Sequence, residues 1–214
     1  MKCQIDIYIY DENFRDEQVK YEYFKTYNTI IIESGTGTGK TTNTAKHIKK
    51  IMTEERMSYK VLSIISRITM ADQHIQSFKK EGIELKNYQK ILKNTDYDDN
   101  NVVICINSIL RYQYYKADFF KNYIVYLDEI NTFTRHLTHN NTLDDKLKLV
   151  YVVLNKIINN CYKLVCTESI ISDNVFNLLE NRPDDKKIFI RNTYKNYEGI
   201  KQHKKRMKII FLRT

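Results

Sequence analysis

Residues 30–48 read IIIESGTGTGKTTNTAKHI, and this stretch holds three of the five glycines in the chain, Gly35, Gly37 and Gly39. An apolar run at 29–32 precedes them. Behind them Ala45, Ile48, Ile51 and Met52 fall on one helical face. A strand, a glycine turn and a helix in that order make an anion site from backbone alone. Glycine lets successive N–H groups turn toward one anion, and the helix N-terminus adds its dipole. The predicted phosphate loop is Ser34, Gly35, Thr36, Gly37, Thr38, Gly39, Lys40, Thr41 and Thr42. In such a loop Lys40 reaches the β- and γ-phosphates of a nucleotide, ATP in the first instance, and the Thr41 hydroxyl is a ligand for Mg²⁺. Ser34 stands where the simplest G-x-x-x-x-G-K-[ST] pattern has glycine. The alternative, a glycine turn with no ligand, does not account for the strand and helix on either side.

Similar apolar runs recur at 61–65, 102–106, 123–127, 163–166 and 187–190. Runs apolar on both faces are strands of a buried, mostly parallel sheet. Between them lie helical patterns, for instance Leu147, Val150, Leu154 and Ile157. The alternation predicts βαβ units and one doubly wound α/β domain over 28–194. Residues 1–27 are expected to add a strand or helix to the sheet edge, and 195–214 form a basic tail.

A nucleotide hydrolase also needs acids at the end of a neighbouring strand. YIVYLDEI supplies them: after Tyr123 come four apolar residues, Ile124 to Leu127, then Asp128 and Glu129. Strand ends of a parallel sheet lie beside the phosphate loop. There Asp128 holds the Mg²⁺ shell, and Glu129 positions the attacking water as general base. An acidic helix start is the competing reading of the pair.

Composition narrows the classes. The chain has 214 residues and net charge +9, which favours an anionic partner, nucleic acid first. No apolar run approaches the roughly 20 residues that cross a bilayer, so no membrane partner is expected. The N-terminus, MKCQIDIYIYDENF, alternates like a strand rather than running on like a signal peptide. Cys3, Cys105, Cys161 and Cys166 lack paired spacing, which argues against zinc or a disulfide framework. His136 and His139 are expected to be loop histidines rather than metal ligands. In RYQYYKADFFKNYIVY (111–126) aromatic and basic residues mix as on a base-stacking surface, but core packing is the preferred reading.

The loop together with LDEI resembles superfamily 2 helicases. KVLSIISRITMADQHIQSF (60–78), VVICINSILRY (102–112) and YIVYLDEINTFTRHL (123–137) are similar to successive motifs of the herpesvirus-type replication origin-binding helicases. The resemblance covers about 28–194 and implies a RecA-like P-loop NTPase, a doubly wound sheet with helices on both faces. It implies ATP and Mg²⁺ as cofactors, DNA (single-stranded or origin) as partner, and Ser66, Arg67, Ser108 and Arg111 as phosphate contacts. The expected setting is intracellular: the nucleus or a site of viral replication if the source is eukaryotic or viral. CTESI (166–170) departs from the Ser-Ala-Thr-like motif of the superfamily, with Thr167 or Ser169 as substitutes. The family's second RecA-like domain is not seen in this chain. Its arginine finger, worth about 10³–10⁵ in rate in P-loop enzymes, is then expected from a partner chain or a second copy. On this reading the chain alone binds ATP and turns it over slowly. Two other readings compete: a nucleic-acid-binding module with an idle, structural nucleotide, and a P-loop ATPase working as a ring.

Overall fold

The computed structural model describes residues 7–12, 19–91, 100–138, 144–183 and 186–193. The strands are β1 (Ile7–Glu12), β2 (Thr29–Glu33), β3 (Lys60–Ile65), β4 (Leu85–Asn87), β5 (Asn101–Cys105), β6 (Tyr123–Asp128), β7 (Lys163–Glu168) and β8 (Lys187–Asn192). The helices are α1 (Tyr21–Thr26), α2 (Lys40–Glu54), α3 (Ala71–Lys80), α4 (Ile130–Thr138), α5 (Asp144–Asn160) and α6 (Asp173–Leu179). The strands form one eight-stranded sheet in the order β1-β8-β2-β7-β6-β3-β5-β4, and every pair is parallel. Helices α1, α2 and α3 pack on one another, while α4, α5 and α6 make a second group, so the sheet is covered on both faces. This is the α/β fold the alternating runs predict.

Double-sided burial explains why the strands read as unbroken apolar runs. Ile30, Ile31, Val61, Leu62, Val103, Val125 and Val165 have no exposed surface. On α2, Ala45, Ile48 and Ile51 are fully buried and Met52 is half-buried. Each isoleucine there contributes about 1.5–3 kcal/mol relative to exposure. On α5, Val150, Leu154 and Ile157 face the core. Lys156 on the same helix donates to the carbonyls of Tyr112, Gln113 and Tyr115 at 3.2, 2.8 and 2.7 Å. It thereby ties α5 to the 3₁₀ helix Ile106–Tyr112. The aromatic cluster is mostly core: Tyr112, Phe120, Tyr123 and Tyr126 are buried, and Tyr114 alone of the residues named here is 87% exposed.

At the amino ends of the strands Arg182, Lys163 and Lys187 are buried among carbonyls. Arg182 donates to Thr29 Oγ1 at 2.6 Å and to the Cys161 carbonyl at 3.2 Å. Lys163 donates to the Tyr27 carbonyl at 2.5 Å, and burial pushes its pKa down to about 8. Cys105, Cys161 and Cys166 are free and buried.

β1 pairs with β8 at the sheet edge, with Ile7 opposite Lys187. α1 packs on α2 through Phe24, whose ring lies 4.7 Å from that of His47. β4 is a further strand that the apolar runs do not predict; only Leu85 of its three residues is buried. No described helix is long and apolar enough to cross a membrane. Cys3, His139, the tail from 195 and the His136 side chain lie outside the described residues.

Candidate functional site

The chain leaves β2 at the middle of the sheet, crosses to β3, and returns so that β7 lies between β2 and β6. That reversal opens a crevice at the carboxyl ends of the strands, where ligands of α/β sheets bind. The glycine loop follows β2 and Asp128 closes β6, so both reach the crevice. They line a cavity of about 390 Å³ together with Met70, Gln73 and Ser77 near and on α3 and with Glu168 and Ser169 at the end of β7.

Gly37 and Gly39 have φ of 76° and 73°, a region where side chains strain the backbone. A Cβ on Gly35 would meet only Thr38 Cγ2 at 3.8 Å. Lys40 Nζ donates to the carbonyls of Ser34 and Gly35 at 2.8 and 2.9 Å. Burial lowers its pKa, against the opposing pull of Asp128, Glu168 and Glu129. Ser34 is buried behind the loop. Its hydroxyl lies 2.8 Å from Thr38 Oγ1 and accepts from Asn192 Nδ2 at 3.0 Å. The Ser34 side chain therefore belongs to the frame of the loop, and what Ser34 turns toward Lys40 is its carbonyl.

Thr41 Oγ1 donates to Asp128 Oδ2 at 3.3 Å. His74 Nε2 reaches the same oxygen at 3.1 Å, and its Nδ1 lies 2.8 Å from Ser63 Oγ. Asp128 Oδ1 accepts from Thr167 Oγ1 at 2.6 Å and from the Glu129 N–H at 3.1 Å. The Tyr126 hydroxyl lies 3.0 Å from Thr167 Oγ1. Burial pushes the Asp128 pKa up, but His74, Thr167 and Lys40 outweigh it and hold the carboxyl below its usual range. An ionised carboxylate beside a threonine hydroxyl suits Mg²⁺, which takes hard oxygen donors and keeps waters and phosphates as its other ligands.

Glu129 has φ 56°, a left-handed conformation that costs a non-glycine residue roughly 1–2 kcal/mol. The Thr132 N–H donates to its carbonyl at 2.9 Å, and Ser66 Oγ donates to its Oε2 at 2.7 Å. Strain of this kind concentrates at functional sites. Here it points the residue after Asp128 back at the loop that follows β3.

The four expected nucleic-acid contacts sit at the carboxyl ends of β3 and β5, neighbouring strands on the same edge as the cavity. They are not equivalent. Ser66 is buried, with its hydroxyl on Glu129. Arg67 is exposed in extended conformation ahead of the 3₁₀ turn Ile68–Met70. Ser108 is half-buried within its 3₁₀ helix, where Cys105 and not Ser108 is the N-cap. Arg111 Nη1 donates to the Tyr88 carbonyl at 2.9 Å, and its guanidinium lies over the Tyr88 ring.

Sequence reasoning missed His74 and Ser63. One signal was present: Ser63 is the only polar residue in the run 61–65, and a buried hydroxyl needs a partner. In CTESI it is Thr167 that contacts Asp128, while Glu168 accepts from the Asn131 N–H at 3.0 Å and caps the start of α4.

A family model described as the origin of replication binding protein matches residues 9–205. The chain belongs to this family. A search of curated proteins finds no match. Among solved structures it is similar to the helicase Mss116p bound to ssRNA and AMP-PNP, with TM-score 0.60 and 18% identity over 84% of this chain and 39% of that one. It is also similar to a hypothetical ATP-dependent RNA helicase from Sulfolobus tokodaii, with TM-score 0.56 and 13% identity over 83% and 53%. The Hef helicase domain of Pyrococcus furiosus gives TM-score 0.55 and 13% identity over 81% and 38%. The fold is that of a RecA-like helicase domain, and the chain spans between 38% and 53% of the length of these neighbours.

Proposed function

We propose that this domain binds ATP with Mg²⁺ and is the nucleotide-binding half of a DNA-dependent, helicase-type ATPase. The observation that supports it best is the convergence of Lys40, Thr41, Asp128 and Glu129, from two strand ends, on one cavity. Lys40 exchanges the carbonyls of Ser34 and Gly35 for the β- and γ-phosphates. Thr41 and Asp128 would hold the metal, which when bound would supply positive charge to offset that of the phosphates. Glu129 accepts a proton as water oxygen bonds to the γ-phosphorus and the bond to the ADP oxygen breaks. Ser66, Arg67, Ser108 and Arg111 lie along the adjacent edge as the track for a nucleic-acid backbone, with Arg67 the most available of them. Efficient turnover requires a second RecA-like lobe bearing an arginine finger.

The test is calorimetric titration of the purified chain with ATP·Mg²⁺, followed by turnover with and without single-stranded DNA. The reading expects binding that is lost in Lys40→Ala, and weak turnover that Glu129→Gln abolishes. No nucleotide binding by the unaltered chain overturns it. Binding with no turnover, even beside a lobe supplying an arginine, leaves an idle nucleotide and overturns the ATPase half.

A further inference from the structure

Glu129 and Ser66 come from different loops and meet in a hydrogen bond that joins the nucleotide cavity to the nucleic-acid edge. A serine hydroxyl has a single proton to donate. Here that proton goes to Glu129 Oε2 at 2.7 Å, with Met70 Sδ at 3.4 Å beside it. Ser66 is held from behind as well, because Cys105 Sγ donates to its carbonyl at 3.5 Å. The backbone of Glu129 is equally fixed, by the Asp128 carboxylate on its N–H and by Thr132 on its carbonyl. With both backbones anchored, the contact between the two side chains is the adjustable element. Arg67, next in sequence to Ser66, is exposed and would bring a phosphodiester to this point.

Resting on the ATPase reading above, we infer that Ser66 is a positioning residue for Glu129 and that a nucleic-acid phosphate competes with Glu129 for its hydroxyl. The competition follows from the proton count. A phosphate oxygen that accepts from Ser66 must take the proton now given to Glu129, and its negative charge disfavours the carboxylate staying close. Glu129 is then released toward the cavity it already lines, where the attacking water stands. The reverse holds too. When a bound nucleotide and its water draw Glu129 inward, Ser66 is freed to donate to phosphate. Such coupling is reciprocal by linkage, and couplings between protein sites are commonly about 5–150-fold.

The experiment uses the full chain and a fluorescein-labelled oligothymidylate, titrated with and without saturating AMP-PNP·Mg²⁺. The unaltered protein should bind the oligonucleotide at least about 5-fold more tightly with the analogue present. In Ser66→Ala that ratio should collapse toward one, and Ser66→Thr, which restores a hydroxyl, should recover it. Thermal melts and AMP-PNP titration of each variant check that fold and cavity stand, and a role in folding alone would not move the ratio. Retention of the full ratio in Ser66→Ala overturns the inference while leaving the ATPase reading intact. So does an unaltered protein that binds both ligands with no coupling. Failure of the unaltered protein to bind AMP-PNP overturns both.

Discussion

His74 is fully buried between Ser63 and Asp128, with its ring stacked 5.4 Å from that of Tyr126. Replacing it with leucine keeps an apolar body of similar size but removes both hydrogen bonds. The bond to a carboxylate is worth about 1.5–3 kcal/mol, and a buried hydroxyl left without a partner costs about 1–3 kcal/mol. Asp128 keeps Thr167, Thr41 and the Glu129 N–H, so its charge is not orphaned and the lower half of the combined range applies. His74→Leu should therefore lose about 3 kcal/mol. Urea unfolding reads this as a fall in midpoint at unchanged m-value. A double-mutant cycle separates the terms, because Ser63→Ala removes the stranded hydroxyl. The pair Ser63→Ala/His74→Leu should recover about 1–2 kcal/mol relative to His74→Leu. A loss below about 1 kcal/mol in the single variant, or a pair no more stable than it, would refute the buried relay as a source of stability.

Three other outcomes are expected. Gly37→Ala, at φ 76°, should lose about 1–2 kcal/mol, whereas Gly35→Ala should stay within about 0.5 kcal/mol in the same urea assay. Lys156→Met forfeits three carbonyl acceptors on a partly exposed side chain. About 1–2 kcal/mol should go, seen as a melting temperature lower by roughly 2–8 °C. Lys163, with its pKa lowered to about 8, gives a pH signature. Between that value and the unfolded lysine value the unfolded state binds the extra proton, so this group's contribution to stability rises with pH. The difference in unfolding free energy between the unaltered protein and Lys163→Met should climb by up to about 1.4 kcal/mol per pH unit from pH 8 to 10. The buried thiols of Cys161 and Cys166, held up by burial, act in the opposite sense but are common to both proteins. A flat difference would count against the buried ammonium.

The six strands that carry the sheet were legible because a strand covered on both faces must be apolar at every position, as 123–127 is. The glycine loop was legible because only glycine tolerates φ near 75° at 37 and 39. β4 was not, since a three-residue edge strand with one buried side chain leaves no periodicity to see. Nor were the partners of Asp128. His74 looks like any polar helical residue until β3 and β6 are paired, and pairing is a property of the sheet order. Ser66 illustrates the same limit. Nothing in its motif shows that its hydroxyl lies on Glu129, 63 positions away along the chain.

The order of strands also bears on how the chain is made. β2, which leads into the glycine loop, has β7 and β8 as its two neighbours, and these are the last two strands of the described chain. Ser34 itself waits for Asn192. During synthesis an apolar strand with two open edges must persist while most of the domain is still being translated. Such long-range parallel pairing is intrinsically slow and exposed to aggregation. The first segment of the site to leave the ribosome is thus among the last to be completed, held open until nearly the whole domain has emerged.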